Sequence, residues 1–522
     1  MGPPRDMLAN IPDGKSFTFE IARESELLPL AGLLANGIER GDTVALSGDL
    51  GAGKTTFARA LIRELTENDQ LEAPSPTYTF LQTYEAKRFP IVHADLYRLT
   101  STDELTELGF EDLPEGSLLL VEWPERAPEL LPANYWEIAF QILPERSNEH
   151  RKIQIIAHGT YATRLERMIS ARRFLEESGY GNARRERMAG DASSRSYERL
   201  ITGDKRFILM NSPRRPDGPI IKDGKTYSAI AHLAEDIQPF VAISRALHDK
   251  GFSTPAIYAA DLSEGYIVLE DLGEQSVVSG NPPAPVHNCY EAAVHVLIAL
   301  HKQILPDRLP VAPHVDYAIP PYDMDAFMIE VELLPDWYLP FRNAEASEEL
   351  RAEYLALWRE ILAPASEARE TWVMRDYHSP NLIWMPERRG IACMGILDFQ
   401  DAMIGPCAYD LASLLQDARV DVPEAWEMEM LGNYIRARTI DDPNFDLARF
   451  VMLYSTMAAQ RASKILGIFA RLDRRDGKPQ YLRHLPRVWN YLQRALNHPA
   501  LAPLAAWYKA HVPPPEGVEP RT

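Results

Sequence analysis

TVALSGDLGAGKT, residues 43–55, is the stretch from which the fold of the first third of the chain is read. Its first five residues form a largely apolar run, and Gly48-Asp49-Leu50-Gly51-Ala52-Gly53-Lys54-Thr55 then fits G-x-x-x-x-G-K-[ST] without a gap. A helical pattern follows over residues 55–65, so the order is strand, glycine-rich turn, helix. Glycines let the backbone bend until successive N–H groups point at phosphate oxygens, and the helix N-terminus adds positive potential. Lys54 is expected to reach the outer phosphates and the Thr55 hydroxyl to ligate Mg2+. The expected nucleotide-binding set is Gly48, Gly51, Ala52, Gly53, Lys54, Thr55 and Thr56.

Outward from this loop, residues 91–94, 118–122 and 136–142 read as further short strands among helical patterns. That alternation predicts an α/β domain with a mostly parallel sheet. A phosphate-binding loop also needs a carboxylate for the magnesium and a group to position the attacking water. Asp95 and Glu122 both sit at the ends of predicted strands, where ligands collect in open α/β sheets. Either one alone reads equally well as a solvated strand-end carboxylate; beside the loop, both are candidates for metal binding and hydrolysis.

The chain has 522 residues, which at ~150 residues per domain suggests roughly three domains or lobes. Apolar residues at 46% and charged residues at 25% exclude wholesale disorder and a fibrous architecture. Three cysteines, Cys289, Cys393 and Cys407, with no C-x-x-C pair, support neither a disulfide framework nor a structural zinc site. Pro3, Pro4, Asp6 and Asp13 fall where a secretory signal would need an apolar run, and no apolar stretch is long enough to span a membrane. A cytoplasmic, soluble protein is expected. The net charge of −20 is unevenly spread: residues 1–160 carry 14 basic and 26 acidic side chains, a net of −12. The first third is therefore a poor primary binder of nucleic acid, since such affinity rests chiefly on Lys and Arg neutralising phosphates. Residues 163–187, rich in Arg, carry apolar residues at helical spacing and predict a helix opening a second domain, with the boundary near 159–163. Residues 513–520, rich in Pro, read as a frayed end.

A second constellation lies in the last third. Val373-Met374-Arg375-Asp376-Tyr377-His378-Ser379-Pro380-Asn381 contains D-x-x-x-x-N, and Ile396-Leu397-Asp398-Phe399 follows after another apolar run. In kinase-like folds such an Asp accepts the proton of the substrate hydroxyl, while the Asn and the second Asp hold Mg2+ across the nucleotide phosphates. Strand-like segments at 198–202, 206–211 and 266–270 precede mostly helical patterns, which suggests a small β-rich lobe and a larger helical lobe. Asp401 and Asp410 read as orienting the catalytic loop or substrate hydroxyls or, at least as well, as buried structural groups bonded to backbone. Residues 451–500 carry nine basic and two acidic side chains, a net of +7, which reads either as a basic wall for phosphates or an acidic sugar, or as a solvated helical face.

The first motif set resembles a known family. Gly48–Thr56 (residues GDLGAGKTT), Ser75-Pro76-Thr77-Tyr78, His93-Ala94-Asp95-Leu96-Tyr97-Arg98 and Val121-Glu122-Trp123-Pro124-Glu125 are similar, in order, to the TsaE family of ATPase subunits in bacterial tRNA threonylcarbamoyladenosine synthesis. The resemblance covers about residues 14–160. It implies a P-loop ATPase that joins TsaB and TsaD in making N6-threonylcarbamoyladenosine at tRNA position 37, contacting tRNA only indirectly. It also implies ATP and Mg2+ as cofactors, Lys54 and Thr55 on phosphate and metal, Asp95 and Glu122 on the metal and hydrolysis, Thr77 in a switch-like loop and Trp123 beside the catalytic Glu.

Residues 165–522 resemble the aminoglycoside phosphotransferase superfamily, a bilobal protein-kinase-like fold, and within it the kinases of the anomeric hydroxyl of N-acetylmuramate and N-acetylglucosamine. The runs that carry this are residues 189–199 (AGDASSRSYER), 375–382 (RDYHSPNL), 396–402 (ILDFQDA) and 466–472 (LGIFARL). The resemblance implies Asp376 as base, Asn381 and Asp398 as metal ligands, and Glu270 to Leu272 as the adenine-side hinge. The implied division is an ATPase domain at 1–160, a kinase small lobe at 164–275 and a large lobe at 276–522, with an amino sugar as acceptor. Two residues depart from the pattern: Met374 stands where His is common, and Met210 stands where a Lys for the α- and β-phosphates is sought. Arg195 or Arg199 is the expected substitute. Open alternatives are a nucleotide-gated interaction module in the first domain, and in the second another small-molecule kinase (aminoglycoside, choline or homoserine) or a pseudokinase.

Overall fold

The computed structural model describes residues 8–11, 14–101, 104–147, 149–188, 195–214 and 218–516. The family-like run at 189–194 and the end of the Pro-rich tail, from residue 517, lie outside the described residues. The chain divides into two compact units, Met1–Asp191 with Tyr197–Arg206 and Ala192–Ser196 with Phe207–Thr522.

In the first unit, Val44, Ala45 and Leu46 are fully buried, because the strand Thr43–Gly48 lies inside an eight-stranded sheet. The order across that sheet is Leu8–Ile11, Gly14–Ile21, Arg151–His158, Trp136–Ile142, Thr43–Gly48, Leu118–Glu122, Ile91–Asp95 and Leu81–Tyr84. Thr43–Gly48 runs parallel to both its neighbours, and Leu118–Glu122 runs parallel to Ile91–Asp95. These parallel pairings form the centre, and antiparallel strands flank it. The register sets Asp95 opposite Glu122 and Glu122 opposite Leu46. Two carboxylates therefore reach one edge of the sheet beside the glycine turn. On one face the helices Leu27–Gly37, Lys54–Thr66 and Tyr161–Glu177 bury an apolar core that includes Leu34, Phe57, Leu61 and Leu165.

The Arg-rich stretch forms the expected helix, but only over Tyr161–Glu177, and it packs on this first core. Gly179, at φ +85°, follows its end, and Arg184–Arg187 is a strand, pairing antiparallel with Ser196–Thr202. Asp42 anchors the helix. Its carboxylate accepts hydrogen bonds from Tyr161 Oη (2.6 Å), from Arg164 Nη1 and Nη2 (3.0 and 2.6 Å) and from Trp136 Nε1 (3.1 Å). Burial alone would raise this carboxyl, but the hydrogen bonds from Arg164, Tyr161 and the Glu39 N–H hold it below the ordinary carboxylate range.

In the second unit, the strand Lys205–Asn211 pairs antiparallel with Tyr266–Glu270, which pairs antiparallel with Ile257–Asp261. Met210 is buried opposite Ile267. The rest is mainly helical, built around the 28-residue helix Leu447–Arg474, whose N-cap Asp446 accepts from the Arg449 N–H. Its Gly467 permits a close approach: a Cβ there would lie 2.3 Å from the Leu333 carbonyl oxygen. The catalytic-type motif runs from the strand Thr371–Val373 into the strand Leu382–Trp384, which pairs with Met394–Ile396 just ahead of Asp398.

Candidate active sites

The glycine turn of the first unit has the geometry that its sequence predicts. A Cβ at Gly48, φ +130°, would meet the Phe140 carbonyl oxygen at 2.4 Å, whereas at Gly51 and Gly53, both at positive φ, nothing lies within 4 Å. The loop thus starts under a tight backbone contact and opens where phosphates would sit. The Lys54 ammonium donates to the carbonyls of Gly48 (2.6 Å) and Asp49 (3.0 Å), and it lies 3.5 Å from the centre of the Trp123 ring. Burial lowers its pKa, against the raising influence of Glu122, Glu125 and Asp95. Thr55 and Thr56 occupy the first turn of the helix Lys54–Thr66, with Ala52 buried just ahead of it.

Around this loop the structure gathers Thr55, Asp95, Glu122, Thr77 and Trp123. Thr55 Oγ1 donates to Glu122 Oε2 at 2.8 Å, and Glu122 Oε1 lies 3.0 Å from His93 Nε2. Asp95 accepts from Thr77 Oγ1 at 2.7 Å, from the Ser75 hydroxyl and from the Tyr97 N–H. Trp123, at φ +61°, packs on Tyr97 with ring centroids 5.1 Å apart. Hydroxyl and carboxylate oxygens beside an open phosphate cradle form a donor set that suits Mg2+, which is held by few protein oxygens together with substrate phosphates. Three contributors are not evident from the motifs' roles. Ser75 fixes Asp95, His93 fixes Glu122, and Arg151 braces the loop by donating to the carbonyls of Ala52 (3.1 Å) and Gly51 (3.2 Å). Arg151 opens a strand distant in sequence, and only a buried or loop-facing Arg at a strand start would have signalled it.

In the second unit, Asp376 sits on a loop held from two sides. The Asp410 carboxylate accepts the backbone N–H groups of Met374 (2.6 Å) and Arg375 (3.0 Å), and Asn381 Nδ2 donates to the Asp376 carbonyl at 2.9 Å. Asp410 is thus a buried carboxylate bonded to backbone, and the backbone it holds is the loop that carries Asp376. Burial pushes the Asp410 carboxyl up to about 7. Arg375 adopts φ +66°, a conformation that costs a non-glycine residue about 1–3 kcal/mol and persists where surrounding contacts hold it. Burial would raise the Asp376 carboxyl, but His378, Lys464, Arg461 and Arg375 more than reverse this and favour its ionised form.

Asp398, at φ +56°, accepts from Arg195 Nη1 at 3.1 Å and from Gln400 Nε2 at 2.7 Å. Arg195 thus brings a cation to the second carboxylate of the motif, the region a small-lobe Lys would serve. Arg199 lies on the strand Ser196–Thr202 opposite Glu186. Asp398 with Asn381, an acidic and an amide oxygen, again offers the hard donors that Mg2+ prefers. Among the described residues, no group of three or more His, Cys, Asp or Glu forms a closed metal cage. At the hinge, Glu270 forms an ion pair with Arg388 while its backbone N–H donates to the Ala256 carbonyl. Leu272 meets the strand leading to Asp398, its Cδ1 3.0 Å from where a Cβ on Gly395 would be.

Asp401 accepts the Ala234 N–H at 2.7 Å, and neutral His378, whose pKa burial lowers to about 4, pairs with Arg419 at 2.5 Å. The basic stretch at 451–500 is neither a free wall nor a purely solvated face. Arg461 and Lys464 are buried, Lys464 pairs with Glu330 at 2.7 Å, and Arg487 and Arg494 pair with Asp421 and Glu427. Glu330 was not singled out by motif. Its signal is a carboxylate directly after the apolar run of residues 326–329, on a helix whose residues from Ala326 to Val331 are all buried.

Residues 21–153 match the family model described as threonylcarbamoyl adenosine biosynthesis protein TsaE, and residues 184–453 match the phosphotransferase enzyme family. An N-acetylmuramate/N-acetylglucosamine kinase of Caulobacter vibrioides is 38% identical over 361 residues, covering 67% of this chain and 97% of that protein. A kinase of the same name from Pseudomonas aeruginosa is 34% identical over 327 residues, covering 60% of this chain and 85% of that protein. A tRNA threonylcarbamoyladenosine biosynthesis protein TsaE of Rickettsia felis is 44% identical over 122 residues, covering 23% of this chain and 71% of that protein.

Proposed function

The chain belongs to two families, the TsaE family through residues 21–153 and the phosphotransferase enzyme family through residues 184–453, and on that premise we propose a bifunctional protein with two separate ATP sites. The first is an ATPase subunit supporting threonylcarbamoyladenosine formation on tRNA, working with TsaB- and TsaD-like proteins. The second phosphorylates the anomeric hydroxyl of N-acetylmuramate or N-acetylglucosamine in cell-wall recycling. The carrying observation is that each constellation is gathered within its own unit: Lys54, Thr55, Asp95 and Glu122 in one, Arg195, Asp376, Asn381 and Asp398 in the other. The proposed functional limits are 1–160 for the ATPase, 164–275 for the kinase small lobe and 276–522 for the large lobe, although the helix Tyr161–Glu177 folds onto the ATPase core.

In the kinase, Asp376 accepts the proton of the sugar hydroxyl as its oxygen bonds to the γ-phosphorus and the bond to the β,γ-bridging oxygen breaks, releasing ADP. Arg195 counters charge on the phosphates in place of the absent small-lobe Lys. Asn381 and Asp398 would hold Mg2+, whose chemistry there is to neutralise the transferring phosphoryl group. In the ATPase, Lys54 leaves its loop carbonyls for the outer phosphates, Thr55 and Asp95 would serve the metal, and Glu122 orients the attacking water. The surplus of acidic side chains in the first 160 residues fits protein contacts and only indirect contact with tRNA. On this reading the protein works in the cytoplasm; no described helix is long and apolar enough to cross a membrane. The test is phosphate transfer from labelled ATP to N-acetylmuramate and N-acetylglucosamine by the full chain and by Asp376→Asn. Transfer to either sugar that Asp376→Asn abolishes supports the kinase assignment, and absence of transfer by the parent chain contradicts it.

A further inference from the structure

Glu330 is fully buried on the helix Met324–Val331, yet it is among the most densely hydrogen-bonded side chains in the second unit. Oε2 accepts from Tyr322 Oη at 2.5 Å and Gln460 Nε2 at 2.8 Å. Oε1 accepts from Lys464 Nζ at 2.7 Å and forms an ion pair with the Arg375 guanidinium. Burial would raise this carboxyl, but Lys464 and Arg375 bring it down to about 2, so it is a permanent anion. Arg375 is the residue before Asp376, and its Nη1 donates to the Ala231 carbonyl at 3.0 Å. Its peptide N–H is held by Asp410 and its left-handed φ needs support from both directions. Lys464 comes from the long helix, where Gly467, three residues on, permits the close approach to Leu333.

We propose that Glu330 is a positioning residue for phosphoryl transfer: through Arg375 it fixes the backbone from which Asp376 reaches the acceptor hydroxyl, and through Lys464 it ties that backbone to the helix Leu447–Arg474. The inference rests on the reading of Asp376 as the base. A carboxylate that acts only as packing would be replaceable by an isosteric amide. A positioning carboxylate is not, because Gln carries no charge against Arg375 and Lys464, and it keeps its oxygen on them only by turning its N–H2 group toward Tyr322 and Gln460, which donate to that position.

The experiment uses the full chain with ATP and N-acetylmuramate or N-acetylglucosamine, whichever the parent phosphorylates. Glu330→Gln is expected to lower kcat about 10–100-fold while KM for ATP stays within about 2-fold, because a small misplacement of the base costs rate without costing nucleotide affinity. Arg375→Lys keeps the charge, loses the forked geometry and is expected to fall in the same direction. The double variant should be no worse than about 2-fold below the poorer single, since the two side chains act as one unit. Tyr322→Phe removes one donor to Glu330 with its ring in place; should Glu330→Gln fail to fold, a kcat loss of about 2–5-fold at unchanged KM in Tyr322→Phe and a larger one in Arg375→Lys support the proposal. Unchanged kcat in the folded variants, or a rise in KM for ATP that accounts for the whole loss, overturns it. Activity retained by Asp376→Asn would instead overturn the reading of the base.

Discussion

Thr55 and Glu122, 67 residues apart in sequence, are joined by a 2.8 Å hydrogen bond from the hydroxyl that would face magnesium to the carboxylate that would orient water. The bond closes the site on itself, and nucleotide entry has to exchange it for contacts to metal and water. Glu122→Gln should therefore still bind ATP but hydrolyse it about 100-fold or more slowly. Nucleotide titration by fluorescence together with phosphate release, in the presence of the TsaB- and TsaD-like partners, checks both halves of that expectation.

Arg195 reaches Asp398 at 3.1 Å from a part of the chain that carries no recognisable phosphate motif. Arg195→Ala is expected to lower kcat/KM for ATP about 100-fold, near 2.7 kcal/mol, with partial recovery in Arg195→Lys. Steady-state kinetics of sugar phosphorylation measures it.

Asp410 accepts two backbone N–H groups of the loop that carries Asp376, and burial raises its carboxyl to about 7. Protonation turns one acceptor oxygen into a donor facing an N–H, so the loop loosens as pH falls through about 7. For stability the sign is the same as for any raised acid: the native state binds the proton more tightly than the unfolded chain, so stability falls as pH rises from the ordinary Asp range to about 7. Activity and stability should thus move in opposite directions across this window. Asp410→Asn should flatten both profiles there, as kcat and urea midpoints against pH would show.

The Asp42 clamp supports a stability prediction for the first unit. Asp42→Asn leaves Arg164 without its counter-charge and should cost about 2–4 kcal/mol, less than a wholly buried pair because the Arg164 side chain is 23% exposed. The folded carboxyl is depressed, so its contribution is present above the ordinary carboxylate range and lost as pH falls through the lower folded value. The gap between parent and variant in urea unfolding should narrow toward acid pH.

The convergence of Lys54, Thr55, Asp95 and Glu122 was legible because each lies in a short contiguous pattern tied to a strand end, and that of Asp376, Asn381 and Asp398 for the same reason. The parallel centre of the sheet was legible from apolar runs such as residues 118–122. The flanking strand Arg151–His158 was not: it opens with Arg151 and Lys152 and buries only alternate residues. Glu330, Lys464 and Arg151 owe their roles to distant partners: Arg375 lies 45 residues from Glu330, Glu330 lies 134 residues from Lys464 and Gly51 lies 100 residues from Arg151, and no local pattern encodes such distances. The helix Tyr161–Glu177 was readable as a helix but not as part of the first core, because its anchor, Asp42, sits 122 residues before Arg164.

Two independent phosphate-transfer sites on one chain is the central claim, and a crossed pair of variants tests it most directly. In the full chain, Lys54→Ala should abolish partner-stimulated ATP hydrolysis and leave sugar phosphorylation within about 2-fold of the parent, while Asp376→Asn should do the reverse. Loss of both activities in either folded variant would contradict the account.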